Sequence, residues 1–372
     1  MNCEIFENII GDPAAYGRQQ QAKSAKPIIG YVCSYTPEEL ILAAGAHPFR
    51  IFGNSRNIEL ADEHLQTYSC ALVRGALEDA LAGNLDFLAG TVFPHSCDSI
   101  MRLSDIWRIN VNLPFHCDVV LPVKLNTASS RDYFMDVLER FRLDLEKHLN
   151  RPITKSDLRK AINTTNKIRG YLKRLYELHH DNPATPKGHE LYTIMRASMM
   201  MDRQDLLSEL PKLIENLEAQ SPKETANKRK RIVMAGSICE HPDIYSIIDE
   251  AGGDVVWDDF CSGARYFEGH VDETAEPLSA IADRYMNRVV CPAKHDGLSN
   301  RADHLVSLAK KRKADGVIFL LLKYCDPHAF DYPYLKSALD NEGVPNILIE
   351  VSDQLPAHGQ LKTRFEAFIE ML

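Results

Sequence analysis

Residues 316–333 read GVIFLLLKYCDPHAFDYP and combine a strand signal with a helix signal. The run from Gly316 to Leu322 is apolar, which is typical of a strand buried on both faces of a parallel sheet. Cys325 follows this run, and Asp326 and Pro327 then suit the cap and first turn of a helix. The stretch predicts a strand and a helix with a thiol at the carboxyl end of the strand.

The same alternation of apolar runs and helical patterns fills two parts of the chain, which favours parallel sheets covered by helices. Between these parts, long charged stretches carry apolar residues at helical spacing. We therefore predict an α/β protein with two α/β domains and a helical connector. The predicted divisions are an N-terminal helical segment at 1–26, a first α/β domain at 27–129, the connector at 130–225 and a second α/β domain at 226–372.

The bulk composition excludes several classes of partner. The chain has 372 residues and a net charge of −9, which argues against nucleic acid or an anionic membrane as the main partner. A secretory signal pattern and a run of about 18 apolar residues are both missing, so we expect a cytoplasmic protein. Nine cysteines, an odd number, argue against a disulfide framework in a reducing compartment.

Most of the cysteines occupy one kind of position, shortly after an apolar run. In open α/β sheets, ligands bind beyond the carboxyl ends of the strands, so thiols there lie at the functional edge. Several of these thiols also precede a helix, whose free N–H groups favour the thiolate, the form that binds metal. The cysteines that follow apolar runs are Cys33, Cys97, Cys239, Cys291 and Cys325.

The other four cysteines differ in context. Cys70 opens a helical pattern without a clear strand before it, and Cys261 lies in the glycine-bearing turn DDFCSGARYF, where backbone can approach a cofactor closely. Cys117 precedes its apolar run, at the wrong end of its expected strand, and is interpreted as a structural thiol. Cys3 is interpreted as part of a surface helix.

A single cysteine at a strand end is most often core packing, but six or seven in equivalent positions favour a thiolate-bound metal centre. Zinc is the competing metal, yet structural zinc sites favour closely spaced cysteine pairs, which this chain lacks. Bacterial ferredoxin spacing is also missing. Ligands spread over both halves of the chain predict a cluster held between two domains.

Other side chains near the cysteines are candidates for supporting roles. Lys294 and Lys323 are candidates to offset cluster charge, and Arg265 to hold an anionic group, with surface solvation as the alternative for each. No P-loop or dinucleotide fingerprint is present, so we expect no ATP hydrolysis or NAD binding by this chain itself. The candidates for proton transfer or for hydrogen bonds to cluster sulfur are His95, His295 and His328.

Six segments resemble, in the same order, segments of the 2-hydroxyacyl-CoA dehydratase and benzoyl-CoA reductase subunit family. They are GYVCSYTPEELILAAGAHPFRIFG, YSCALVRGALEDAL, FPHSCDSIMRLSDIW, GSICEHPD, DDFCSGARYFEG and KYCDPHAFDYPYLKSALDNEGVPNILIE. The resemblance covers nearly the whole chain, although the helical middle matches only in character. It implies two Rossmann-like domains with an iron–sulfur cluster between them, and a separate ATP-hydrolysing activator, itself carrying a cluster, that supplies single electrons.

The number of cysteines decides which branch of that family the chain is most similar to. The positions that match a single [4Fe-4S] cubane are Cys70, Cys97 and Cys325, and the surplus thiols make the chain similar to the double-cubane cluster proteins. Two cubanes joined by a bridging sulfide need three thiolates each. The preferred ligands are Cys33, Cys70, Cys97, Cys261, Cys291 and Cys325, with Cys239 as the alternate to Cys261.

The resemblance therefore implies an iron–sulfur oxidoreductase with a double-cubane [8Fe-9S]-type cluster, acting as a homodimer on small-molecule substrates. One alternative is a [4Fe-4S] subunit of a heterodimeric 2-hydroxyacyl-CoA dehydratase, which is a lyase, or of a benzoyl-CoA reductase. A second alternative is a non-enzymatic electron carrier. The physiological substrate is left open by these residues.

Overall fold

The computed structural model contains two four-stranded parallel sheets surrounded by helices. The residues that the structure describes are 3–54, 57–219, 229–241, 243–288, 291–297, 299–352 and 355–372. Within them, no helix is both long enough and apolar enough to cross a bilayer.

The first sheet has the strand order β2-β1-β3-β4, with every neighbouring pair parallel. Its strands are β1 (Ile28–Tyr31), β2 (His47–Arg50), β3 (Gly90–Pro94) and β4 (His116–Val119). The helices that connect them are α3 (Glu38–Ala43), α4 (Ala71–Leu81) and α5 (Asp98–Asn110), with a short 3₁₀ helix at Ala61–Glu63. All residues of β1, β2 and β3 are buried, as expected for a sheet covered on both faces.

Helices dominate the start and the middle of the chain. Two helices precede the first sheet, α1 (Glu4–Gly11) and α2 (Pro13–Lys23). Four helices follow it, α6 (Ala128–Leu149), α7 (Lys155–Asp181), α8 (Gly188–Ser198) and α9 (Arg203–Glu218). Helix α7 starts with a capping box between Thr154 and Asp157 and packs against α3, α9 and β6 (Gly253–Asp259), so it links both halves of the molecule.

The second sheet repeats the topology of the first, with the parallel order β6-β5-β7-β8. Its other strands are β5 (Lys230–Gly236), β7 (Gly316–Leu322) and β8 (Asn346–Val351). The helices of this half are α10 (Asp243–Glu250), α11 (Ala264–Phe267), α12 (Pro277–Asn287), α13 (Asn300–Lys311), α14 (Asp326–Asn341) and α15 (His358–Met371).

The predicted α/β class with two parallel sheets is confirmed, and helices occupy the predicted middle segment. The boundary predicted at 225–226 and the apolar run Val289–Val290 before Cys291 both lie outside the described residues. One strand differs from expectation, because β4 begins at His116 and Cys117 therefore lies inside it.

A buried network of charged and tyrosine side chains joins the two halves beneath the sheets. Arg169 Nη2 of α7 lies 2.5 Å from Glu39 Oε1, and Arg203 Nη2 of α9 lies 2.7 Å from Glu38 Oε2. The Tyr266 hydroxyl of α11 donates to Glu38 at 2.9 Å. Each carboxylate thus has a cation and each arginine a carboxylate, as buried charges require. We call these five residues the Glu38–Glu39 network.

Candidate metal centre

Six of the nine cysteines come together between the two sheets, three from each half of the chain. Burial raises the pKa of the Cys97 thiol well above its ordinary value, and the nearby thiols of Cys70, Cys33 and Cys325 raise it further. We call the group the six-cysteine site. Its members are Cys33, Cys70, Cys97, Cys261, Cys291 and Cys325.

The six thiols form two triplets. In the first triplet, the Cys70 and Cys325 thiols raise the pKa of Cys97. Burial raises the pKa of Cys325 to about 12, and the Cys70 thiol acts in the same direction. In the second, burial raises the pKa of Cys261 to about 11, and the thiols of Cys33 and Cys291 contribute in the same direction. The Cys33 thiol raises the pKa of Cys97 more than Cys325 does, and Cys291 raises that of Cys325, so thiols of the two triplets also influence one another and the six form one connected group.

The strand order explains why thiols from distant parts of the chain meet. In each half, the chain crosses from one side of the first strand to the other, and the crevice beyond the strand ends at such a switch point is where ligands bind in these sheets. Cys33 and Cys97 follow the neighbouring strands β1 and β3, and Cys325 and Cys261 follow β7 and β6. The six-cysteine site therefore lies at the carboxyl edges of both sheets.

Three members of the site are the N-cap residues of helices α4, α5 and α14. No cap hydrogen bond of standard geometry forms at these three thiols. Burial raises the pKa of each thiol, but the N–H of the third helical residue lies close enough to lower it. A free N–H at a helix start favours a negative charge. The pairs are Cys70 with Val73, Cys97 with Ile100, and Cys325 with His328.

Hydroxyl groups and cations complete the surroundings of the thiols. The Ser96 hydroxyl donates to Cys33 Sγ at 3.4 Å. Lys294 is buried, and its ammonium donates to the carbonyls of His95 and Leu121 at 3.1 and 3.4 Å. Burial lowers the pKa of Lys294, while the thiols of the site act in the opposite direction. Lys294 thus lies where the sequence predicted a charge-offsetting cation, whereas Lys323 lies over the Tyr324 ring, 5.2 Å from its centroid.

The remaining three cysteines lie apart from the site. Cys239 is buried, and its thiol donates to the His241 carbonyl at 3.5 Å rather than facing another thiol. Cys117 lies inside β4, 3.9 Å from Asp144, instead of before the strand as its sequence context suggested. The helix expected at Cys3 is α1, which exposes Glu4, Ile5, Glu7 and Asn8, while Cys3 itself caps this helix and is buried where α1 packs against α8.

The three candidate histidines have different environments. His95 Nε2 lies 2.9 Å from Asp118 Oδ1, an ionic contact that is not aligned as a full hydrogen bond. His328 is buried at the start of α14, and burial, then Arg265 and Arg301, hold its pKa well below the ordinary value, so it stays neutral. His295 is exposed, and its backbone N–H donates to the Val123 carbonyl at 2.7 Å.

A cavity of about 180 Å³ opens beside the six-cysteine site. Its walls come from the loop after Cys291 and from the start of α14, so it lies next to members of both triplets. Among its lining residues are Lys294, His295, Arg301, Phe330 and Tyr334.

Comparison with known proteins identifies the family of the chain. The family model described as 2-hydroxyglutaryl-CoA dehydratase, D-component, matches residues 33–372. The chain belongs to this family. It is 28% identical to the (R)-phenyllactyl-CoA dehydratase beta subunit of Clostridium sporogenes, over 99% of this chain and 97% of that protein.

Two further members of the 2-hydroxyglutaryl-CoA dehydratase D-component family show similar coverage. A benzoyl-CoA reductase subunit of Thauera aromatica is 27% identical, over 94% of this chain and 92% of that protein. The beta subunit of (R)-2-hydroxyglutaryl-CoA dehydratase from Acidaminococcus fermentans is 26% identical, over 99% and 98%. All three names describe subunits of enzymes, so this chain belongs to a family of enzyme subunits.

The donor set of this family member suits a cluster of several metal ions better than one ion. Among the residues that the structure describes, no three His, Cys, Asp or Glu side chains converge as ligands of a single ion. Thiolates of an iron–sulfur cluster each bind a different iron and are therefore farther apart than the ligands of one zinc. Six thiols that influence one another, two on buried and four on partly buried cysteines, with N–H and O–H donors beside them, fit such a cluster.

Sequence reasoning missed several residues of the site. Arg50 lies beside Cys261 and lowers its pKa, but in the sequence it reads only as the end of a short strand. Asp118 of β4 lies beside His95 and accepts a hydrogen bond from Ser104 of α5, and neither residue lies near a cysteine of the site in sequence. Of these residues, Ser96 alone could have been recognised from the sequence. It adjoins Cys97, and a hydroxyl next to a candidate ligand is a common hydrogen-bond donor to ligand atoms.

Proposed function

We propose that this chain is an iron–sulfur reductase component that holds a double-cubane [8Fe-9S]-type cluster in its six-cysteine site. It receives low-potential electrons from an ATP-hydrolysing iron–sulfur activator and reduces small molecules. When bound, such a cluster supplies a place where more than one low-potential electron can be stored. The proposal takes Cys261 rather than Cys239 as the sixth ligand.

The convergence of six thiols, three from each half of the chain, carries this proposal, and they can be divided into two triplets. Two cubanes that share one bridging sulfide require three protein thiolates each, which is the number in each triplet. The first triplet is Cys70, Cys97 and Cys325, and the second is Cys33, Cys261 and Cys291. Cys239 supports neither triplet, because its thiol donates to a backbone carbonyl.

The protein around the thiols stabilises bound negative charge. At the starts of α4, α5 and α14, a backbone N–H lies close to the thiol of the residue that caps the helix. The Ser96 hydroxyl donates to Cys33 Sγ. Hydrogen bonds to sulfur, net charge and exclusion of solvent are the factors that set the potential of an iron–sulfur centre. The chain thus holds the cluster as an anion in a site largely closed to water.

Proton delivery is assigned to His95, the candidate histidine with a polar connection toward the edge of the first sheet. Partial burial raises the pKa of Asp118, but contacts from His116, Ser104 and His95 hold this pKa well below its ordinary value. The ionised Asp118 carboxylate lies 2.9 Å from His95 Nε2 and places a negative charge beside the ring. His328 remains neutral and serves as a neighbour of Cys325 through its backbone N–H.

The size of the cavity beside the site supports small substrates. Pockets for drug-sized ligands have volumes of roughly 300–1,000 Å³, whereas this cavity has about 180 Å³. Because a water molecule takes about 30 Å³ in the liquid, the cavity suits a molecule of a few heavy atoms.

Anaerobic purification followed by iron and sulfide analysis tests the proposal. About eight irons per chain supports the double cubane, about four contradicts it in favour of a single cubane, and no iron rejects both. The same sample tests the proposed homodimer by light scattering, and turnover with activator, ATP and reductant separates a reductase from an electron carrier.

The second candidate function is a [4Fe-4S] subunit of an acyl-CoA dehydratase or reductase, and the names of the relatives favour it. In that case the first triplet alone holds the cluster. About four irons per chain together with measurable affinity for an acyl-CoA ester would establish it. Eight irons and no such affinity would exclude it.

A further inference from the structure

The cavity of about 180 Å³ beside the six-cysteine site has one wall made by the loop at residues 291–297. Main-chain hydrogen bonds hold this loop against the other half of the chain. The His295 N–H donates to the Val123 carbonyl at 2.7 Å, and the Leu125 N–H donates to the His295 carbonyl at 3.0 Å. His295 thus forms a parallel bridge with Lys124. The loop therefore has a fixed position beside the cavity.

Lys294 is the buried cation of this loop and is only 6% exposed. It lies three residues after Cys291 and lines the cavity. Its ammonium reaches the other half of the chain, where it donates to the carbonyls of His95 and Leu121 at 3.1 and 3.4 Å. An ammonium has three N–H donors. Two of them fix the position of the group, and the third has no acceptor among the residues that the structure describes.

The charge of Lys294 has no acidic partner within the described parts of the chain. Both of its acceptors are neutral carbonyl oxygens, and it forms no ion pair with a carboxylate there. A buried cation in this state is costly unless an anion lies beside it. An anion bound next to Lys294 would therefore be stabilised by a charge that the protein leaves uncompensated.

The other charged side chains around the cavity already have partners. Arg301 Nε lies 2.6 Å from Asp331 Oδ2. Asp296 lies two residues from Lys294, but its carboxylate accepts from the Asn300 side chain at 3.0 Å. Among the described lining residues, Lys294 is thus the buried cation without a carboxylate partner.

We propose that the cavity binds a small monoanion of a few heavy atoms and that Lys294 holds it through its third N–H. This inference rests on the proposed function and deepens it, because it names a negatively charged small molecule as the substrate class. The volume of the cavity limits the size of the anion. The charge of Lys294 selects the anion over a neutral molecule of the same shape, because a hydrogen bond between charged groups is stronger than one between neutral groups.

Acetate and acetamide are matched probes, because they have the same shape and only acetate is charged. The full chain is purified anaerobically, and its melting temperature is followed against the concentration of each probe, before and after removal of iron. Sodium gluconate, whose anion is too large for the cavity, keeps the ionic strength constant. The variants are Lys294→Gln, which removes the charge, and the control Lys323→Gln, at an exposed position over the Tyr324 ring.

We expect the wild-type chain to bind acetate about tenfold more tightly than acetamide, Lys294→Gln to lose this preference and Lys323→Gln to keep it. Equal affinities in the wild type, or a preference that survives in Lys294→Gln, overturn the inference. The wild-type comparison decides the matter even where Lys294→Gln does not fold. A preference found only after iron removal also overturns the inference, because the cluster then takes up the charge of Lys294. A chain purified without iron overturns the proposed function, and its preference for acetate would still show the anion site.

Discussion

The Glu38–Glu39 network and the six-cysteine site both bury charged or ionisable groups between the two halves of the chain, but they differ in completeness. In the network, each arginine meets a carboxylate and a tyrosine hydroxyl adds a further hydrogen bond. At the site, Arg265 is paired with the Asp259 carboxylate, but Arg50 forms no ion pair with a carboxylate among the described residues and lies beside Cys261, whose pKa burial raises. Each arginine of the network is therefore paired with a carboxylate of the chain, whereas Arg50 is not.

The largest expected effect concerns the site. Cys325→Ala should lose most of the bound iron and the brown absorbance, because it removes a thiolate of the first triplet that also contacts the second. Cys117→Ala, a buried cysteine inside β4, is the control and should keep both. Iron content per chain and the visible spectrum check the prediction, and equal iron in the two variants would refute the ligand assignment.

The network should respond in stability instead of iron content. Glu38→Gln leaves the buried cation of Arg203 without its carboxylate and should lower the free energy of unfolding by about 3–5 kcal/mol. Urea unfolding of the iron-free protein measures this. Glu139→Gln disturbs the surface pair with Arg142 and should lower the free energy of unfolding far less. A similar decrease in both variants would show that the buried pair is no more important for stability than the surface pair.

A smaller effect is expected for the tyrosine of the network. Tyr266→Phe removes a hydroxyl that donates to the Glu38 carboxylate at 2.9 Å. Because hydrogen bonds to charged groups contribute about 1.5–3 kcal/mol, the unfolding free energy should fall by that amount. Tyr334→Phe, at an exposed position, should leave it unchanged. A neutral result for Tyr266→Phe would show that the network does not depend on this bond.

A pH dependence, small per pH unit, is expected at the edge of the network. Burial, and then the charge of Arg203, lower the pKa of His47 to about 3. Between the ordinary histidine pKa of about 6.5 and this value, the unfolded chain binds a proton that the folded chain does not. Stability should therefore fall as the pH drops through this window, by up to about 1.4 kcal/mol per pH unit from this residue.

His47→Gln should remove that contribution and make the plot of unfolding free energy against pH less steep below about pH 6.5. His358→Gln, at an exposed position, should leave the plot as it is in the wild type. An identical slope in the wild type and His47→Gln would show that His47 is not held neutral by its surroundings.

Much of the fold followed from local pattern. The apolar run Gly316–Leu322 is β7, and Cys325 caps α14 as the cap and first-turn residues after the run suggested. Local pattern is sufficient there because strand burial and helix capping depend on neighbours in sequence. Local pattern did not reveal the burial of Cys3, because the packing of α1 against α8 depends on residues far along the chain.

The composition of the site was less accessible from sequence. Cys239, which follows an apolar run, and Cys261, which lies in a glycine-bearing turn, were nearly equivalent candidates. The ligand set stays a prediction. The carbonyl of His241 and the two arginines that separate their environments come from tertiary contacts. Arg50 carried no signal, because nothing local distinguishes a strand-end arginine beside a thiol from a surface one.

The wide separation of the six cysteines along the chain has a consequence for biosynthesis. Cys33 leaves the ribosome early, while Cys325 emerges only when most of the 372 residues have been made. Since domains fold in order from the N-terminus during synthesis, the three thiols of the first half are made before the second sheet can fold against them. If the site holds the proposed cluster, its insertion is a late event, and a truncated chain that retains only the first sheet presents three of the six thiols.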